Sequence, residues 1–350
     1  MPPYMQVLLA CFLVCPGDWV TVKRSVIAHS NQEKDDRFAR YIDNGFSIDQ
    51  VSVFFFFVDS SKPGFGQFVM DLEKAATEIR PFLERADLNI QLRIDCASEP
   101  TYVKSVLEIF LPYKKRVDFV EIQGFDTQSI DEACDVLEVL GEFDSLRFLS
   151  IETNPGFVPC GNGIMKLGEW EARVIDVALS KLLARISNEN VFWLVLPKFA
   201  GQESLDAVLS GTGVDYIDCS HLAPDSDWSK LGEADGISGI ELPLLNDLSL
   251  VLQQLNQTSV RELSVAGVTD EDLRLISKNP QITKLTVRSS EKMTLLGLQA
   301  LIDSEKLETV FLYDESYRHL DLASVEKWAK SLNLMGQERY KREINVRIGR

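Results

Sequence analysis

Val260-Arg261-Glu262-Leu263-Ser264-Val265-Ala266-Gly267-Val268-Thr269-Asp270-Glu271-Asp272-Leu273-Arg274-Leu275-Ile276 changes its apolar period partway along. Val260, Leu263 and Val265 follow an apolar-x-x-apolar-x-apolar spacing, and the last part of it alternates as a half-buried strand does. From Thr269 onward Leu273 and Ile276 stand three apart, as on the inner face of a helix. Thr269 is placed to cap that helix, and Asp270, Glu271 and Asp272 meet the positive end of its dipole. A strand and a helix of about ten residues cannot bury their apolar faces alone, so this stretch needs neighbours built like itself.

Those neighbours are present on both sides. The same spacing occurs at Val214-Ile217-Cys219, Ile237-Ile240-Leu242, Ile282-Leu285-Val287 and Leu307-Val310-Leu312. With Val260 included, the starting residues are separated by 23, 23, 22 and 25 residues. A fixed period of this size marks stacked structural units, whose strands would lie side by side in one parallel sheet.

The segment from Val260 to Leu273 resembles the leucine-rich repeat family, whose repeat begins L-x-x-L-x-L. It looks like the strand, V-T-D turn and helix start common in bacterial members. The resemblance implies an α/β solenoid, a horseshoe with one parallel β-sheet on its concave face and helices outside. The ninth repeat position, where the family usually places Asn or Cys to bond neighbouring backbone, here holds Leu222, Leu245, Val268, Ser290 and Glu315. That departure implies irregular repeats rather than an ideal turn ladder. In eukaryotes such repeats often form the substrate-receiving part of ubiquitin-ligase adaptors; residues 1–50 lack the three-helix, Leu-Pro-rich module of those adaptors.

Outward from the regular repeats of 201–320, the alternation loosens. Residues 51–200 read as longer β/α repeats, with strands near 89–95, 117–122, 146–151 and 191–196 and helices near 101–111, 129–141 and 169–187. Val51-Ser-Val-Phe-Phe-Phe-Phe-Val58 is apolar on both strand faces, as a covered parallel strand is. After it, Asp59 to Met70 contains Gly64-Phe-Gly66, but Val69 stands where a nucleotide loop would have its third glycine, so a turn leading into a helix over 67–85 is the expectation. Residues 154–168 form a Gly-rich loop with Cys160 in it, either a functional projection or a tolerated insertion. Residues 1–50 and 321–350 lack the repeat and read as caps that shield the ends of a solenoid.

The chain has 350 residues, 45% of them apolar and 25% charged, which suits a folded protein with a sizeable core. Its net charge of -17 argues against nucleic-acid backbone binding and favours a neutral or basic partner. The six cysteines show no paired C-x-x-C metal spacing, and no cofactor motif is complete. No apolar run reaches the roughly 18 residues of a membrane span. Val7 to Val14 is either a cap strand of a cytoplasmic protein, the reading preferred here, or part of a lipoprotein or secretory signal within residues 1–15.

The repeat register also predicts a surface. In L1-x2-x3-L4-x5-L6-x7, positions 4 and 6 point into the core and positions 3, 5 and 7 stand on the concave face. Position 3 across successive strands reads Phe119, Phe148, Trp193, Tyr216, Gly239, Glu262, Lys284 and Thr309. At ~4.8 Å between strands, the first four would form an aromatic row of roughly 15 Å. Glu121, Glu152, Asp218 and Glu241 flank it, with Lys284 and Arg288 further along.

Large aromatics ringed by charge are characteristic of recognition surfaces, so the expectation is a non-catalytic scaffold that holds a protein or peptide, basic or amphipathic, on this face. Packing of the rings against one another, or beneath the 154–168 loop, is the competing explanation. The rival architecture is a closed β/α barrel with an active site at the C-terminal strand ends, where His221 would sit. His29, His221 and His319 are the three histidines, and none belongs to a recognisable catalytic motif.

Overall fold

A computed structural model describes residues 6–14, 24–25, 50–58, 80, 83–84, 89–95, 100–123, 125, 130–152, 169–186, 191–339 and 345–348. The 154–168 loop with Cys160, the Gly64-Phe-Gly66 turn, most of the helix expected over 67–85, and His29 lie outside them. The chain divides into two compact units, Met1–Leu182 and Leu183–Arg350. Both contain parallel strands alternating with helices, and the first also has two strands that pair antiparallel.

In the first unit the strands are β1 (Gln6–Val14), β2 (Arg24–Ser25), β3 (Gln50–Val58), β4 (Asn89–Asp95), β5 (Val117–Gln123) and β6 (Phe148–Glu152). The order across the sheet is β2-β1-β3-β4-β5-β6. The strands β3 to β6 are parallel, whereas β1 runs antiparallel along the whole of β3, from Gln6 opposite Val58 to Val14 opposite Gln50. Helices α1 (Pro100–Phe110), α2 (Ile130–Leu140) and α3 (Glu169–Ile186) follow β4, β5 and β6, close to the expected spans, and the division between units falls in the last turns of α3.

The second unit has β7 (Val191–Val195), β8 (Val214–Asp218), β9 (Gly239–Glu241), β10 (Glu262–Ala266), β11 (Lys284–Ser289), β12 (Thr309–Leu312) and β13 (Asn345–Ile348), paired in chain order and all parallel. Between them lie α4 (Gln202–Leu209), α5 (Leu248–Leu255), α6 (Asp270–Lys278), α7 (Leu295–Ala300), α8 (Asp314–Tyr317) and α9 (Leu322–Arg339).

The repeat pattern accounts for the register. Leu194, Ile217, Ile240, Leu263, Leu285, Val310 and Val346 stand opposite one another from strand to strand. The position-1, -4 and -6 residues of the repeats starting at 191, 214, 237, 260, 282 and 307 are all buried. Helix residues such as Leu205, Val208, Leu252, Leu273, Ile276 and Leu298 are buried with them, so one sheet face packs under the helices. Positions 3, 5 and 7 belong to the other, open face. Each fully buried Leu, Ile or Val stabilises the stack by about 1.5–3 kcal/mol, and every strand rests on its neighbours' side chains as well as its own.

Local chemistry joins one repeat to the next. Thr269 caps α6 as expected: its Oγ1 accepts from Asp272 N at 3.3 Å, and the Asp272 carboxylate accepts from Thr269 N at 2.8 Å, a capping box. Asp270, beside it, accepts from Thr294 N at 2.7 Å and from Thr294 Oγ1 at 2.6 Å, which ties the start of α6 to the start of α7.

At the ninth position, Ser290 does what the resemblance asks of Asn or Cys. Its Oγ donates to Val268 O at 2.6 Å and accepts from Met293 N at 3.0 Å. Leu222 and Val268 are buried at the equivalent place, so burial replaces the polar bridge there. Trp328 of α9 closes the helix side of this end, donating Nε1–H to Leu298 O at 2.7 Å.

Candidate functional site

The four aromatics of the predicted row supply a ring pair within each unit. In the first unit Phe119 lies opposite Phe148, and their rings stack at 4.1 Å between centroids with planes 6° apart. Arg93 covers Phe119 from the β4 side, its guanidinium carbon 5.0 Å from the ring centroid. The same guanidinium reaches Glu121, Nε to Oε2 3.2 Å, and Gln123 Nε2 donates to Glu121 Oε1 at 2.6 Å. Both Glu121 oxygens are therefore engaged within the sheet, while Glu152 at the end of β6 is exposed.

In the second unit Trp193 lies opposite Tyr216, with ring centroids 4.6 Å apart and planes tilted by 38°. Trp193 keeps 37% of its surface exposed, and Phe192 beside it keeps 62%. Tyr216 lies over Gly239 on the next strand. A Cβ at Gly239 would stand 2.3 Å from Tyr216 Cδ2 and 3.3 Å from Glu262 Cβ, so only glycine leaves room for the ring. The gap in the aromatic row at Gly239 is the floor on which its last ring rests.

Asp218, Glu241 and Glu262 surround that ring. Burial, and then the nearby charges of Glu241, Asp218 and Glu262, push the Tyr216 phenol well above its usual range; Arg288 opposes them. Burial also raises the Glu241 carboxyl, with Asp218 adding to the rise and Arg288 countering it. Arg288 Nε is 3.1 Å from Glu241 Oε1 and the guanidinium also donates to Leu242 O. Lys284 Nζ donates to Glu262 Oε2 at 2.6 Å. Of the acids expected beside the row, Glu241 pairs with the expected Arg288, while the expected Lys284 pairs with Glu262.

Asp218 differs from these acids in bonding backbone, with Ser220 N donating to its Oδ1 at 2.8 Å. The second unit also carries a further aromatic pair that sequence reasoning missed. Phe311 and Tyr313 of the β12 repeat have ring centroids 4.7 Å apart, and Tyr313 is 48% exposed. They occupy positions 5 and 7, and a reading of position 7 would have found Tyr313.

No catalytic grouping assembles around the histidines that are described. His221 is exposed just beyond β8, and His319 Nε2 is 2.6 Å from Met293 O. Cys219 is fully buried, which pushes its thiol well above the ordinary value, and Cys134 is raised by burial and then by Asp131 and Asp135. Among the described residues no three His, Cys, Asp or Glu side chains are grouped to hold a metal ion. No described helix is long and apolar enough to cross a membrane. Neither a protein-family model nor a curated protein matches the chain.

Proposed function

We propose that the protein is a non-catalytic scaffold, a leucine-rich-repeat-like solenoid that holds a protein or peptide segment on the open, concave face of its sheet. The observation that carries this reading is the Trp193–Tyr216 pair: two large rings in a fixed register, one of them held by Gly239 and the other 37% exposed. A pre-positioned Trp beside a Tyr provides binding area at small entropic cost, and such residues dominate recognition energetics. The acidity of the whole chain favours a basic or amphipathic segment over nucleic acid. Cys134 and Cys219 are free thiols, which suits a reducing compartment such as the cytoplasm.

The test is selection of random nine-residue displayed peptides against the purified full chain, followed by calorimetry of the recovered peptides on the parent and on Trp193→Ala. Circular dichroism verifies that the variant is folded. The expected result is a loss of about 2 kcal/mol or more on Trp193→Ala, roughly thirtyfold in affinity. Peptides that bind both proteins equally would remove this face from the function.

A further inference from the structure

We infer a second binding site, among the helices of the second unit and not on the open sheet face, for a small organic anion: a carboxylate or phosphate group on an apolar body. It is a cleft of about 630 Å³ between the C-terminal end of α6, the turn at Asn279 and Pro280, and α7 with the turn that follows it. Small-molecule sites fall in this range of volume.

The charge of the cleft runs against that of the chain. Arg274, Lys278 and Lys306 line it, with Asp303 and Glu305 as its carboxylates, in a protein whose net charge is -17. Arg274 is matched by Glu271, Nη1 to Oε2 2.8 Å. Among the described residues neither Lys278 nor Lys306 forms an ion pair. Two unmatched ammonium groups lining one cleft raise the local concentration of anions.

The wall of the cleft supplies a donor as well. Asn279 is 3% exposed, and its Oδ1 accepts from Gln281 N at 2.8 Å, which fixes the amide so that the other arm is the NH2 group. That Nδ2 has no hydrogen-bond partner in the chain. A buried donor left unmet is costly, and an ionised carboxylate or phosphate oxygen is the strongest acceptor for it. Leu296, 71% exposed on α7, adds apolar surface to the same cleft. Ammonium groups, an amide donor and a leucine together select an anion with an apolar body over a neutral molecule of the same shape.

Calorimetric titration of the full chain with benzoate, phenyl phosphate and benzyl alcohol, in about 0.15 M salt, tests the site. At least one of the two anions should bind with a Kd below about 1 mM while the alcohol does not, and which anion binds tells carboxylate from phosphate. Lys278→Gln and Lys306→Gln should each weaken that binding about two- to fivefold. Asn279→Asp keeps the acceptor for Gln281 N and replaces the donor with a carboxylate, so it should weaken binding at least about tenfold. Glu305→Gln should tighten binding about two- to fivefold, a gain that no loss of folding produces. Trp193→Ala should leave it unchanged, so this site and the scaffold reading stand or fall separately. Absence of saturable anion binding, equal binding of benzyl alcohol, or an affinity that none of the cleft variants moves would overturn the inference.

Discussion

Gly239 shows how much of a face one residue controls. It lacks a side chain on a strand whose neighbours present Tyr216 and Glu262, and the tyrosine ring occupies the space a Cβ would take. In Gly239→Ala the ring must lift or the strand must shift, an overpacking cost of about 1–3 kcal/mol. Urea unfolding should show that loss, and tyrosine fluorescence should report a changed environment at Tyr216. The sequence placed Gly239 in the row and could not explain it, because the explanation is the direction in which a side chain from another strand lies. Glu121 is a similar case. Nothing in its own segment shows that Arg93, on the preceding strand, and Gln123 take both its oxygens.

At the scale of the element, α6 was the most legible part of the chain. Thr269 was identified as its cap from its place before three acids, and the structure adds the reciprocal bond from Asp272. Removing the box with Thr269→Ala should destabilise the fold by about 1 kcal/mol, measured as a lower urea midpoint with an unchanged slope. Asp270 stands in the first turn, where its charge meets the helix dipole, and its carboxylate also accepts from Thr294 in the next repeat. Capping is local and so visible in sequence; a bond 24 residues away depends on the lateral offset between helices. The strand spans were legible for the same local reason, down to β4, where Ile90, Leu92 and Ile94 keep a strict alternation and the ladder with β5 shifts by one residue between Ile90 and Gln91.

For the whole molecule the controlling quantity is a net charge of -17. A field of that sign attracts a basic segment over distances beyond contact, and salt screens it with a Debye length of ~10 Å at 0.1 M. Raising salt from about 0.05 to 0.5 M should slow association of a selected basic peptide by about tenfold or more while its dissociation changes little, which stopped-flow measurement would check. The acidic and basic ends read along the sequence do not act as separate poles, since Arg288 and Lys284 are joined to Glu241 and Glu262. Steering of a basic segment would therefore come from the surface as a whole.

What the sequence determined by itself was the interval: apolar residues returning every 22 to 25 positions can be buried only if successive strands align like with like, and Leu194 to Val310 do so in the second unit. That alignment places Trp193, Tyr216, Asp218 and Glu241 on one face before any coordinate is known. Only the tertiary structure decided which of those groups are spent on one another. Ring contacts and ion pairs across strands depend on rotamers and on lateral distances of a few ångströms, and a repeat pattern carries neither.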